Sequence, residues 1–276
     1  MKYVIGNKSN AKRAKTVLFH RKKPGLHRLP NNRPGKSGKQ NSVAWNCSAV
    51  FLSIFVYNPR PRVISALCWL LTQLIKMTIA FLSDTHGKHR ELKDLPQADM
   101  LIHAGDVSWN GTEEEIADFI GWLGELDYRH KIFIAGNHDD CLDGAEIEGL
   151  PENCHYLCNS GAKIEGIKLW GVPFFLSDEI HWEDLYPEKI ARIPQQTDLL
   201  ISHCPPFGIL DKSAFGANMG SRDLRQRVET IAPRYHLFGH IHEAYGVYES
   251  AGTTFVNGCI VNERYEPANR PIVITL

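Results

Sequence analysis

Residues 78–87 read Thr78-Ile79-Ala80-Phe81-Leu82-Ser83-Asp84-Thr85-His86-Gly87. The first five are apolar or β-branched and bounded by polar residues, the pattern of a short strand buried on both faces. Asp84 and His86 follow at its carboxyl end. Residues i and i+2 of extended chain project to one side, so both can reach a common ion. The arrangement recurs along the chain. Residues 100–104 run into Gly105-Asp106, and 131–135 into Gly136-Asn137-His138-Asp139. Residues 199–202 lead to His203, and 236–238 to Gly239-His240-Ile241-His242. Open α/β sheets bind ligands at the carboxyl ends of their strands, so an α/β fold with one site built by these ends is expected.

Helices are expected between the strands. Thr112-Glu113-Glu114-Glu115 is a capping box, and Ile116, Phe119, Ile120 and Leu123 then make one apolar helix face. Residues 223–231 read as a second helix, capped by Ser221 and closed by Pro233. Residues 164–172, 253–256 and 272–276 read as further strands, expected antiparallel. Residues 174–194 are poorly patterned and read as a loop with a short helix.

Composition divides the chain. It has 276 residues with 31 Lys/Arg and 31 Asp/Glu, so its formal charge is zero. Residues 1–76 hold 15 of the basic residues and no acidic one, whereas residues 77–276 carry −15. Residues 1–40 show no hydrophobic period and are expected to be disordered. A spanning helix needs about 20 apolar residues, which neither uncharged stretch between 40 and 75 supplies without polar interruption. The expectation is that 1–76 is a basic extension foreign to the working protein. Met77 would then begin the functional domain, 77–276. A membrane tether through 40–75 and a targeting extension are the rivals. The seven cysteines are odd in number, which favours free thiols in a reducing compartment, hence the cytoplasm.

Asp84, His86, Asp106, Asn137, His203, His240 and His242 are the candidate metal ligands. Each fragment alone has a plainer reading, since Gly-Asp marks turns and Gly-Asn-His-Asp suits a hairpin tip. Five fragments in order, each after an apolar strand, point instead to one site. Mixed oxygen and imidazole donors suit Mn, Fe, Zn or Ni. The other histidines take structural or surface readings, except His89, which is close enough to His86 to line the site.

Together these motifs resemble the signature of the calcineurin-like metallophosphoesterases. The resemblance covers residues 77–276 and none of 1–76. Residues 83–87 and 203–211 are most similar to the small metallophosphoesterase-domain proteins related to class III cyclic-nucleotide phosphodiesterases. It implies a four-layer αββα sandwich of two mixed β-sheets flanked by helices. It also implies that Asp84, His86 and His242 hold one metal and Asn137, His203 and His240 a second, with Asp106 bridging both. His138 would face the substrate as the catalytic residue. The implied activity is phosphodiesterase or phosphatase chemistry with two divalent ions, Mn or Fe favoured, and in-line attack of a metal-bridging hydroxide. Asp106 would give one oxygen to each ion. Asp139 would orient a histidine or form the turn.

With −15 on the domain and no basic patch beyond Arg222-x-x-Arg225-x-Arg227, no nucleic-acid partner is expected. A small phosphodiester or phosphomonoester fits, and Trp109, Trp170, Phe174 and Phe207 are candidates to stack on it. The rival class is a silent protein-interaction module that keeps the fold without turnover.

Overall fold

The computed structural model describes residues 2–7, 15–18, 76–181 and 185–276. Met1–His20 and Met77–Leu276 cluster as one unit, and Arg21–Lys76 forms another that lies outside the described residues except at Lys76. The stretch between 40 and 75 therefore also lies outside them.

One sheet orders β14 (Ile272–Thr275), β3 (Thr78–Leu82), β4 (Met100–His103), β5 (His130–Phe133) and β7 (Cys154–Tyr156). Only β14 is antiparallel to its neighbour in that sheet. The other sheet orders β12 (Gly246–Ser250), β13 (Thr253–Asn257), β11 (Tyr235–Phe238), β10 (Leu199–Ser202), β9 (Ile167–Val172) and β8 (Ser160–Ile164). Its centre is parallel and its two edges are antiparallel. β13 is thus parallel to β11 as well as antiparallel to β12, against the purely antiparallel expectation.

Alternation along the strands builds the layers. Ile79, Phe81, Met100, Ile102, Leu199, Ile201 and Leu237 pack together between the sheets. Ala80, Leu82 and Leu101 face the other way, onto Ile116, Phe119, Ile120 and Leu123 of helix α1 (Glu113–Glu125). Leu200 and Phe238 likewise face outward, onto Tyr186, Ile190, Leu224, Val228 and Ile231. These come from α3 (Leu185–Ala191), which follows α2 (Leu176–Ile180), and from α4 (Arg222–Ile231). Helix, sheet, sheet, helix is the expected αββα sandwich. Truncating Phe81, fully buried at its centre, would cost about 3–5 kcal/mol.

The local signals are realised. Thr112 Oγ1 accepts the Glu115 N–H at 3.2 Å, and the Glu115 carboxylate accepts the Thr112 N–H at 3.3 Å. Ser221 Oγ accepts the Leu224 N–H at 3.1 Å and opens α4. Where one short helix was expected, 174–194 holds both α2 and α3.

A third sheet departs from expectation. β1 (Lys2–Asn7) pairs antiparallel with β2 (Lys15–Leu18) and with β6 (Ala145–Glu148). Of the 1–40 stretch expected to be disordered, residues 2–7 and 15–18 are described and the rest lies outside the described residues; within them Val4, Ile5, Thr16 and Val17 are β-branched, and β6 supplies a remote edge to pair with. Among the described residues, no helix is long and apolar enough to cross a membrane.

Candidate metal centre

The parallel strands of each sheet end on the site. β3, β4 and β5 deliver Asp84 and His86, Asp106, and Asn137 and His138; β10 and β11 deliver His203, His240 and His242. Asp84, His86, Asp106 and His240 have φ of 56°, 43°, 55° and 70°. Left-handed backbone at non-glycine residues costs about 1–2 kcal/mol each, a strain concentrated here where ligands must turn inward. Glycine is required beside them. A Cβ on Gly136 would lie 2.2 Å from Asp106 Oδ1, and one on Gly239 would lie 2.1 Å from Asp84 Oδ2.

All seven candidate ligands converge. His242 Nε2 lies 3.5 Å from Asp84 Oδ1 and 3.3 Å from His86 Nε2. His203 Nε2 and His240 Nδ1 are each 3.1 Å from Asn137 Oδ1. Asp106 Oδ2 lies between the two groups, 3.6 Å from His86 Nε2 and 3.5 Å from His203 Nε2. Asp84 and His203 are fully buried, while six predicted residues, His138 among them, line a pocket of about 220 Å³. One donor atom each of His86, Asp106 and His138 lies within 4.8 Å of the others.

Hydrogen bonds orient the imidazoles. His203 Nδ1 donates to the Ala104 carbonyl at 2.8 Å, His242 Nδ1 to the Asn262 carbonyl at 3.2 Å, and His138 Nδ1 to the Trp109 carbonyl at 2.9 Å. A carbonyl only accepts, so each neutral ring keeps its Nε2 lone pair for the site. Lone pairs facing carboxylate oxygens at about 3.5 Å repel unless a proton or a cation lies between. The donor set therefore fits divalent cations.

In the metal-free protein, protons take part of that role. Burial disfavours charge on His203, but Asp106 beside it outweighs burial and raises it to about 9. Burial likewise opposes ionised Asp84, yet the His242 hydrogen bond and the surrounding histidines hold it well below the usual carboxylate range. For Asp106, the same burial is overcome by His203, leaving it at about 2. Burial dominates at His86 and His240 and pushes both down to about 4.

One expectation needs correction, and one pair of alternatives is decided. Asp106 does not turn one oxygen toward each cluster: Oδ1 accepts the His138 N–H at 2.9 Å, and only Oδ2 faces both. Of the two roles expected of Asp139, turn formation is the one seen: its N–H donates to the Gly136 carbonyl at 3.0 Å, and among the described residues its carboxylate meets no imidazole. It accepts the N–H groups of Gly136 (2.9 Å), Val107 (3.2 Å) and Ser108 (2.9 Å) and the Ser108 hydroxyl (2.6 Å). It locks the Asp106 loop to the Asn137 loop, and burial with the Asp106 charge raises it to about 6.

His89 is turned away, 3.0 Å from Asp118 on α1. His103 and His236 are buried on Thr85 and Ser202 hydroxyls. The arginine row is no basic patch. Arg222 covers Phe207, Arg225 pairs with Glu229, and Arg227 bonds the Ile193 carbonyl. Of the stacking candidates, Phe174 is buried and Trp170 packs on the outer core, but Trp109 is 43% exposed beside His138.

Some neighbours carry no sequence signal. Glu243, Glu263 and Tyr265 complete the pocket, and the Tyr265 ring stands 4.9 Å from both His86 and His242. The buried Cys259 donates its S–H to Asp84 Oδ2 at 3.0 Å; burial and the adjacent Asp84 charge push that thiol well above its ordinary range.

Residues 77–244 match the family described as calcineurin-like phosphoesterase. The chain belongs to the calcineurin-like phosphoesterase family. Within this phosphoesterase family it is similar to metallophosphoesterase domain-containing protein 1 of Homo sapiens. The two are 35% identical over 230 residues, which cover 70% of this chain and 69% of that protein. It is also similar to UPF0046 protein K07C11.7 of Caenorhabditis elegans, 33% identical over 218 residues, covering 71% and 74% respectively. The family match ends at residue 244, so Cys259, Glu263 and Tyr265 come from chain beyond it.

Proposed function

We propose that this phosphoesterase is a dinuclear-metal-dependent hydrolase of a small phosphodiester or phosphomonoester. The observation that supports it most is Asp106 Oδ2, set 3.6 and 3.5 Å from imidazoles of two separate donor groups. Asp84, His86 and His242 would hold one ion and Asn137, His203 and His240 the other, with Asp106 shared. Manganese or iron suits these donors best. Two divalent ions held there would supply a hydroxide nucleophile at neutral pH and offset phosphoryl charge.

The chain's own groups do the rest. Among the described residues no Lys or Arg lines the pocket, and binding of the phosphoryl anion is assigned to the ions and to His138. His138 Nδ1 is held by the Trp109 carbonyl, which leaves Nε2 as the atom available to the substrate. Protonated there, it donates to the departing oxygen and returns to the neutral Nδ1–H form. A general acid is worth about 10²–10⁴ in rate. The complete donor set weighs against a silent interaction module.

The test is hydrolysis of bis-(p-nitrophenyl) phosphate by the purified chain with Mn²⁺, alongside metal analysis. Turnover abolished by chelation and restored by Mn²⁺ is expected. Protein that holds metal but turns over no phosphoester in a panel would overturn the reading.

A further inference from the structure

We infer that Cys259 is a positioning residue whose thiol fixes the Asp84 carboxylate in the orientation the first ion requires. This rests on the ligand set proposed above. Asp84 Oδ1 faces His242 Nε2 at 3.5 Å, while Oδ2 accepts the Cys259 S–H at 3.0 Å and the His240 N–H at 3.1 Å. The His240 N–H is 3.1 Å from Oδ1 as well, so it does not distinguish the two oxygens. The thiol does, because it reaches only Oδ2. With Oδ2 engaged, Oδ1 is left for the ion.

The sulfur itself cannot wander. Cys259 is fully buried, and its segment is laced to the Asp84 strand end by Ser83 N–H to Gly258 O (2.9 Å) and Ile260 N–H to Ser83 O (3.0 Å). Asn257 adds a second tie. Its Oδ1 accepts the Cys259 N–H at 3.1 Å, and its amide donates to the Ile241 carbonyl, between His240 and His242, at 2.9 Å. One segment thus aligns the carboxylate and the two late histidines together.

A hydroxyl can replace the thiol as donor, and an isopropyl group of similar bulk cannot. The experiment is a Mn²⁺ titration of the full chain, followed by electron paramagnetic resonance, for wild type, C259S, C259V and C259A. Melting temperatures in EDTA are measured in parallel. C259V and C259A are expected to weaken the first Mn²⁺ site about 10–100-fold, as loss of a ligand-orienting partner does, and C259S to recover most of that. The C259V turnover deficit should shrink as Mn²⁺ is raised.

Affinity unchanged in C259V, or lost equally in C259S and C259V, would overturn the inference. So would altered melting in EDTA with no change in affinity. Should C259V fail to fold, C259A against C259S decides on the same terms. Wild-type protein that binds no Mn²⁺ would overturn the metal-centre reading and this role with it. Wild type that binds two ions beside an indifferent C259V would remove this role alone.

Discussion

The main-chain N–H of His138 donates to Asp106 Oδ1 at 2.9 Å. This bond commits one carboxylate oxygen to the protein and leaves Oδ2 as the shared donor. Asp106→Asn must then either keep its amide oxygen on the His138 N–H, turning the amide nitrogen to the ions, or break that bond. Nearly complete loss of bound metal and of turnover is expected, read by metal analysis and phosphodiester hydrolysis. Metal-dependent turnover surviving in that variant would refute the bridge.

His138→Ala is expected to behave differently. It removes Nε2 from the pocket but leaves its main-chain N–H on Asp106. Both ions should stay, with turnover down about 10²–10⁴-fold. Substrates with better leaving groups should lose less. Metal lost in proportion to rate would make His138 a ligand instead.

Metal uptake by the metal-free protein should depend on pH. His203 is raised from 6.5 to about 9, so at pH 7 it carries a proton that a cation must displace. The proton and the ion compete, hence affinity rises with pH and levels off above about 9. One proton leaving at this site implies about a tenfold gain per pH unit below that point. Calorimetry in two buffers of different ionisation heat counts the protons released. Uptake independent of pH between 6 and 8 would count against this competition.

Asp139→Ala is predicted to weaken the fold as well as the site. It leaves three N–H groups and the Ser108 hydroxyl without the carboxylate they bond. A buried donor without a partner costs about 1–3 kcal/mol, and these donors share one acceptor, so a loss on the order of 3 kcal/mol is expected. Urea unfolding of the metal-free protein measures it without interference from bound ions.

Gly239→Ala tests steric fit. The added Cβ would meet Asp84 Oδ2 at 2.1 Å and Ser83 Oγ at 2.2 Å, so the carboxylate must move. Mn²⁺ affinity should drop more than about tenfold, in line with other disturbances of ligand orientation. An unaltered titration would show that Asp84 tolerates displacement.

What the sequence reveals here depends on range. Asp84 and His86 are legible because a buried strand and its ligands are adjacent in the chain. The sandwich is legible because Ile79 and Phe81 face one layer while Ala80 and Leu82 face the other. Cys259 is not, since its partner lies 175 residues away and no motif joins them. Nor is the position of Asp106 Oδ2 between the two donor groups, which follows from where a loop places the His138 N–H. Asp139 is visible as a polar residue beside the motif, but three of the four donors its carboxylate accepts are main-chain N–H groups that no side-chain pattern reports. β1 and β2 escape for a similar reason, as the edge they join is remote.

The donor groups come from both sheets, His86 and Asp106 from one, His203 and His240 from the other. A pair of bound cations would therefore act as a clasp across the open rim of the sandwich. Chelation should let that rim breathe, so amide exchange would quicken at the strand ends near Ala104 and Ser202 while the far rim keeps its protection. Such a protein would stiffen as it became active, its loading state written into the motions of its scaffold.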